Sequence, residues 1–162
     1  MIFDLATFTT IHTILSVVAL VAGLVVVAAL VQGRPAPRWT MLFLVTAIAT
    51  SVTGFGFPFS AVLPSHVVGG VALLILAAVL FAAYMANPGR AWNWTYAAGL
   101  VVSVYLLVFV AIAQAFLKVP VLKAAAPTQS ELPFALAQLA ALAVFAALAV
   151  MAARSFDATA KA

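Results

Sequence analysis

WTMLFLVTAIATSVTGFGFPFSAVLPSHVVGGVALLILAAVLFAAYMANPG, residues 39–89, runs from Arg38 to Arg90 without one Asp, Glu, Lys or Arg. A membrane crossing takes about 20 residues, so this run is too long for one helix and must fold back on itself. The natural break is Phe55-Gly56-Phe57-Pro58 through Pro64, where glycine and prolines interrupt the apolar pattern. Two helices are predicted from it, at about Thr40–Phe57 and Ser65–Ala86.

The same segmentation extends both ways. Residues 5–33, between Asp4 and Arg34, hold one span, residues 91–117 another, and residues 132–153 the last. The reading is an all-α membrane protein, a bundle of five transmembrane helices: Thr9–Gln32, Thr40–Phe57, Ser65–Ala86, Asn93–Leu117 and Pro133–Ala153. They form one transmembrane domain over residues 1–162. Gly33 and Pro35, Pro58 and Pro64, Pro88 and Gly89, and Pro120 and Pro127 mark the connections. Pro133 suits the first turn of the last helix, where its missing N–H costs nothing. Met1-Ile2-Phe3-Asp4 offers no basic stretch ahead of the apolar run, so the first helix reads as retained rather than as a cleaved signal.

Composition agrees. The chain is 68% hydrophobic and 6% charged, with a mean hydropathy of +1.31. A soluble domain carries roughly 45–50% apolar and about 25% charged residues. Three acids and seven bases cannot cover a water-facing surface, which excludes soluble enzymes and disordered chains. The net charge of +4 does not point to nucleic acid, because the bases stand scattered between apolar spans rather than clustered. Cysteine is absent, which removes disulfides, thiol redox chemistry and thiolate metal sites. Runs this long and uniformly apolar also exclude barrel strands, and hydrocarbon then leaves helices as the way to satisfy the backbone.

Orientation follows from the bases. Arg34 and Arg38, Arg90, and Arg154 with Lys161 share one side of a five-span protein, whereas Lys118 and Lys123 fall on the other with Asp4 and Glu131. The positive-inside rule then puts the N-terminus outside and the C-terminus in the cytoplasm of a bacterial inner membrane. Trp39, Trp92 and Trp94, with Tyr84 and Tyr96, cluster at the cytoplasmic end as an interfacial belt. The outer end uses Phe55, Phe57, Phe59 and Phe116 instead.

Polar groups inside apolar spans are costly and are therefore candidate functional groups. At about 1.5 Å per residue, His12 lies about 30 Å from Gln32, at the outer boundary. His66 opens the third helix at the same level. Gln114 sits one turn inside Lys118, Glu131 begins the last helix, and Gln138 lies seven residues deeper on the same face. His12, His66, Gln114, Lys118, Glu131 and Gln138 thus all fall in the outer third. The plainer reading is separate groups at the headgroup level. The sharper one is a ligand pocket, which the depth of Gln114 and Gln138 favours.

Two histidines at one level also fit paired axial ligands of haem b. Ser16, Ala19 and Gly23 after His12, and Gly69 and Gly70 after His66, would suit a porphyrin face, although small residues also serve helix packing. His12, His66 and Glu131 could together hold a metal ion by ligand type. Thr46, Thr50, Thr53 and Gly54 form a helical stripe that reads as back-bonded hydroxyls or as a permeation path. No acid lies mid-membrane, which lowers the case for proton- or sodium-coupled transport. The connection from Lys118 to Phe134 reads as an interfacial loop or as a lid over the outer pocket.

Thr50-Ser-Val-Thr-Gly-Phe-Gly-Phe-Pro58 and Leu117-Lys-Val-Pro-Val-Leu-Lys-Ala-Ala-Ala-Pro-Thr-Gln-Ser-Glu-Leu-Pro-Phe134, with Ile11-His12 ahead, resemble a family of small uncharacterised bacterial multi-span inner-membrane proteins. The resemblance implies a bacterial source and a multi-span fold, and brings no catalytic residue. The histidine near the start of the first helix is also similar to that of small haem-containing membrane cytochromes. The functional expectation is a non-enzymatic membrane protein that binds a small hydrophobic or lipid-like ligand in the outer pocket, or an accessory subunit of a larger membrane complex. A haem- or quinone-binding redox protein using His12 and His66 is the second reading, and a small transporter or channel the third.

Overall fold

The computed structural model describes residues 4–58, 64–85 and 89–160. Helix accounts for 86% of them, with no strand among the described residues. The elements are α1 (Leu5–Val31), α2 (Pro37–Gly54), α3 (Pro64–Tyr84), α4 (Arg90–Lys118), the short α5 (Pro120–Ala125) and α6 (Leu132–Thr159). Among the described residues, α1, α3, α4 and α6 are long and apolar enough to cross a membrane. The 18-residue α2 carries Arg38 in its first turn and a stripe of threonines, which dilute its apolar character. Expectations placed on Phe59, Ala86, Pro88 and Lys161 lie outside the described residues.

Local chemistry sets the helix ends. The Asp4 carboxylate caps α1, accepting from the Thr7 amide at 3.2 Å, so the helix starts one turn before the expected Thr9. At the other end Gly33 adopts φ 65°, its amide donates to the Leu30 carbonyl at 3.0 Å, and the Arg34 amide donates to Ala29 at 2.9 Å. These paired bonds form the Schellman stop, which needs a left-handed residue where glycine carries no Cβ penalty. Proline opens α2, α5 and α6 in the first turn, where it displaces no hydrogen bond. The last helix runs past the expected Ala153 to Thr159, because Ser155 and Asp157 find partners on α1 and α4, and Thr159 one in the α1–α2 connection.

The long helices form a closed ring, α1–α2–α3–α4–α6 and back to α1, and α1 also touches α4 across the middle. Side-chain bonds give the directions. His12 near the start of α1 meets Thr53 at the end of α2, Asn93 at the start of α4 meets Asp157 at the end of α6, and Ser155 on α6 meets the Val31 carbonyl of α1. So the bundle has a His12 end and an Arg34 end.

The core is aliphatic and aromatic: Ala19, Ala22 and Val26 of α1, Phe43 of α2, Val79 of α3, and Leu100, Val101 and Val104 of α4. Lipid offers no hydrophobic drive between helices, so close backbone approach and dispersion hold them. Gly23 makes this concrete. A Cβ there would stand 2.6 Å from Val104 Cγ2 and 2.9 Å from Phe43 Cε2, so α1, α2 and α4 meet over a missing methyl. On α3, Gly69 faces the Phe55 ring whereas Gly70 faces open space, so only the first of that pair belongs to a packing face. Leu74, Val121, Leu132, Leu136 and Leu139 stay exposed, a surface suited to lipid.

Candidate functional site

The His12 end gathers the predicted polar residues, and three of the six, His12, Glu131 and Gln138, bind backbone or hydroxyl groups close by. Thr53 gives its hydroxyl proton to the Ala49 carbonyl at 2.7 Å. Its oxygen lies 2.9 Å from His12 Nδ1, an arrangement that suits the tautomer with the proton on Nδ1 and the lone pair on Nε2. Phe57 packs edge-on to the same imidazole, with centroids 5.1 Å apart. His66 instead stacks on Phe55, with centroids 5.6 Å apart and planes 21° off parallel. Both histidines thus rest on the Thr53–Phe57 segment, His12 through Thr53 and Phe57 and His66 through Phe55.

Glu131 organises the turn ahead of α6. Its Oε1 accepts from the Thr128 amide at 3.2 Å and the Thr128 hydroxyl at 2.9 Å, and its Oε2 accepts from the Ser130 amide at 3.1 Å. Burial raises this carboxyl, but the hydrogen bonds from Thr128 and Ser130 together outweigh it and hold the group below the usual glutamate range. Gln138 reaches from α6 to α4, its Nε2 donating to the Phe109 carbonyl at 3.1 Å, while its buried Oε1 has no partner among the described residues. Gln129, which sequence reasoning passed over, adopts φ 59° and donates to the Ala113 carbonyl at 2.7 Å. Phe109 and Ala113 are one turn apart, so two amides from the α6 side grip the same face of α4. Gln114 and Lys118 are exposed.

Among the described residues no three of His, Asp and Glu are grouped to hold a metal ion, so His12, His66 and Glu131 do not assemble as a triad there. The threonine stripe follows the plainer expectation in part. Thr46 and Thr53 bond back to Leu42 and Ala49, and Thr50 Oγ1 is buried without a partner among the described residues. The Lys118–Phe134 connection contains α5, which lies against α4, and Phe116 meets Phe134 edge-on with centroids 5.3 Å apart.

The opposite end holds a buried polar cluster that sequence reasoning missed. Asp157 is 7% exposed and Asn93 4%. Asn93 Nδ2 donates to Asp157 Oδ1 at 3.0 Å, and Arg90 Nε stands 4.0 Å from Oδ2. The Arg90 guanidinium also sits 5.4 Å from the centre of the Trp94 ring. A signal was available: Ala149, Ala153 and Phe156 continue the buried face of α6 at helical spacing, which turns Asp157 inward.

Protein-family models, curated proteins and solved structures give no match to this chain. Its class therefore rests on its own fold, which among the described residues is all-helical with four helices long and apolar enough to cross a membrane.

Proposed function

We propose that the chain is a multi-pass protein of a bacterial inner membrane, crossing five times with α2 as the fifth span, N-terminus outside and C-terminus in the cytoplasm. It acts there as a non-enzymatic component, either binding a small lipid-like ligand or serving as an accessory subunit. One observation carries this reading: four polar side chains, three of them within helices and Gln129 in the turn ahead of α6, fasten one helix to another. His12 holds α2, Gln138 and Gln129 hold α4, and Asn93 holds α6. Groups fixed in this way build a scaffold rather than turn over a substrate. The orientation is supported by charge, since Arg34, Arg38, Arg90 and Arg154 share one end.

The test is the size of the particle released from its native membrane in mild detergent. The accessory reading expects the tagged chain in a stoichiometric assembly heavier than any homo-oligomer, and the ligand reading expects a retained lipid-like molecule by native mass spectrometry. A bare chain with neither would overturn the proposal. The haem reading has one supporting feature, the Thr53 hydroxyl beside His12 Nδ1, because ligating imidazoles donate one ring N–H and offer the other nitrogen. Protein made with haem in excess would then show a Soret band that is lost in both His12→Ala and His66→Ala. A colourless wild type would remove this reading.

A further inference from the structure

The Arg34 end contains a cleft that no role above uses. It lies between the α1–α2 connection and the last turns of α6, in two adjoining lobes of about 150 Å3 and about 100 Å3. Both lobes are walled by Leu30, Pro35 and Phe156, and both include Arg34. Tyr96 and Thr40 close the second lobe. No acidic side chain lines either one. Arg34 is exposed and has no ion pair or side-chain hydrogen bond among the described residues, in contrast to Arg90 with its Asp157.

The walls are fixed from both sides. Ser155 donates to the Val31 carbonyl at 3.0 Å, and the Thr159 hydroxyl lies 3.4 Å from the Gly33 carbonyl. These residues are one turn apart on α6; Ser155 meets a carbonyl that α1 leaves without a helical partner at its end, and Thr159 faces one in the connection just after it. The cleft is thus preformed, which lowers the ordering cost of any ligand.

We propose that this cleft binds the phosphate of an anionic phospholipid, with Arg34 on the phosphate oxygens and the glycerol end of an acyl chain against Leu30, Pro35 and Phe156. Three features select that occupant. The guanidinium fork matches two phosphate oxygens. The apolar walls disfavour a fully hydrated ion. A space of about 150 Å3 holds roughly one benzene-sized group, so it fits the start of a lipid whose remaining length lies along the exposed helix faces.

Native mass spectrometry of the full chain in neutral detergent, with equimolar phosphatidylglycerol and phosphatidylcholine, tests the proposal. The wild type should retain phosphatidylglycerol preferentially. Arg34→Gln should lower that retention about tenfold, the scale of one charge-assisted contact. Arg154→Gln, an exposed arginine of α6 outside the cleft, should change it less than about twofold. Ala36→Phe keeps the cation, fills the second lobe and should lose retention as Arg34→Gln does, while Arg34→Lys, with charge but no fork, should fall between. Equal retention of the two lipids, or equal losses in Arg34→Gln and Arg154→Gln, would overturn the site. Displacement of the lipid by millimolar inorganic phosphate would make it a free-anion site and would also overturn the lipid assignment.

Discussion

Asp157 shows how much a single carboxylate commits its neighbours. Buried beside Asn93, it leaves that amide without an acceptor when removed. Asp157→Ala should therefore destabilise the bundle by about 1–3 kcal/mol in thermal unfolding in detergent. The double substitution Asn93→Leu with Asp157→Leu should lie nearer the wild type than Asp157→Ala does, because no polar atom of the pair is then stranded. Additive losses would show that the pair is not coupled. Glu131 makes a pH prediction. Its folded pKa lies below the ordinary value, so its stabilisation is fully present above that ordinary value and is lost as pH falls through the lower, folded one. Exchange of the Ser130 amide should accelerate in that acid window, and Glu131→Gln should abolish the step. At this scale His12, Glu131 and Gln138 were legible as polar outliers in apolar runs. Their partners were not, since Thr53 is one hydroxyl among several on α2 and the Phe109 carbonyl has no sequence signature at all.

At the scale of elements, Gly23 is the sharpest case. A side chain there must displace Val104 and Phe43 together, and overpacking of this kind costs about 1–3 kcal/mol. Gly23→Leu should lower the melting temperature clearly more than Gly70→Leu, whose Cβ meets nothing within 4 Å. Equal effects would mean that α1 can move away from α4 at little cost. The long helices were readable because hydrocarbon permits few ways to satisfy a backbone, and charge-free runs measure the lengths directly. Their ends were less readable. Asp4 extends α1 by a side-chain cap, and α6 extends through three polar side chains whose partners lie on α1, on α4 and in the α1–α2 connection. The six-residue α5 lay in a stretch mixing prolines with apolar and polar residues, too short for any periodicity to register.

For the whole molecule, the two ends differ in charge and in construction, and this makes orientation testable. The chain has no cysteine, so single thiols can be placed without background. On intact spheroplasts an impermeant thiol reagent should label Ala125→Cys, beside Lys123 at the His12 end, and leave Ala36→Cys unmodified. Labelling of Ala36→Cys alone would invert the assignment and carry the Arg34 cleft to the outer leaflet. The grouping of polar residues at one end was legible from helix alternation. The cleft was not, because it arises where the α1–α2 connection meets α6, and those segments are remote in the chain.

The bonds from Ser155 and Thr159 to the end of α1 also bear on the order of synthesis. Helix α1 is made well before α6, so the Val31 carbonyl at its end waits for a partner that lies 124 residues further along the chain. Until then that oxygen must be kept company by water or lipid headgroups, and the ring cannot close before α6 itself has been made. A nascent chain halted before α6 would hold every core residue of the other helices and still present open flanks on α1 and α4, a ready mark for membrane quality control.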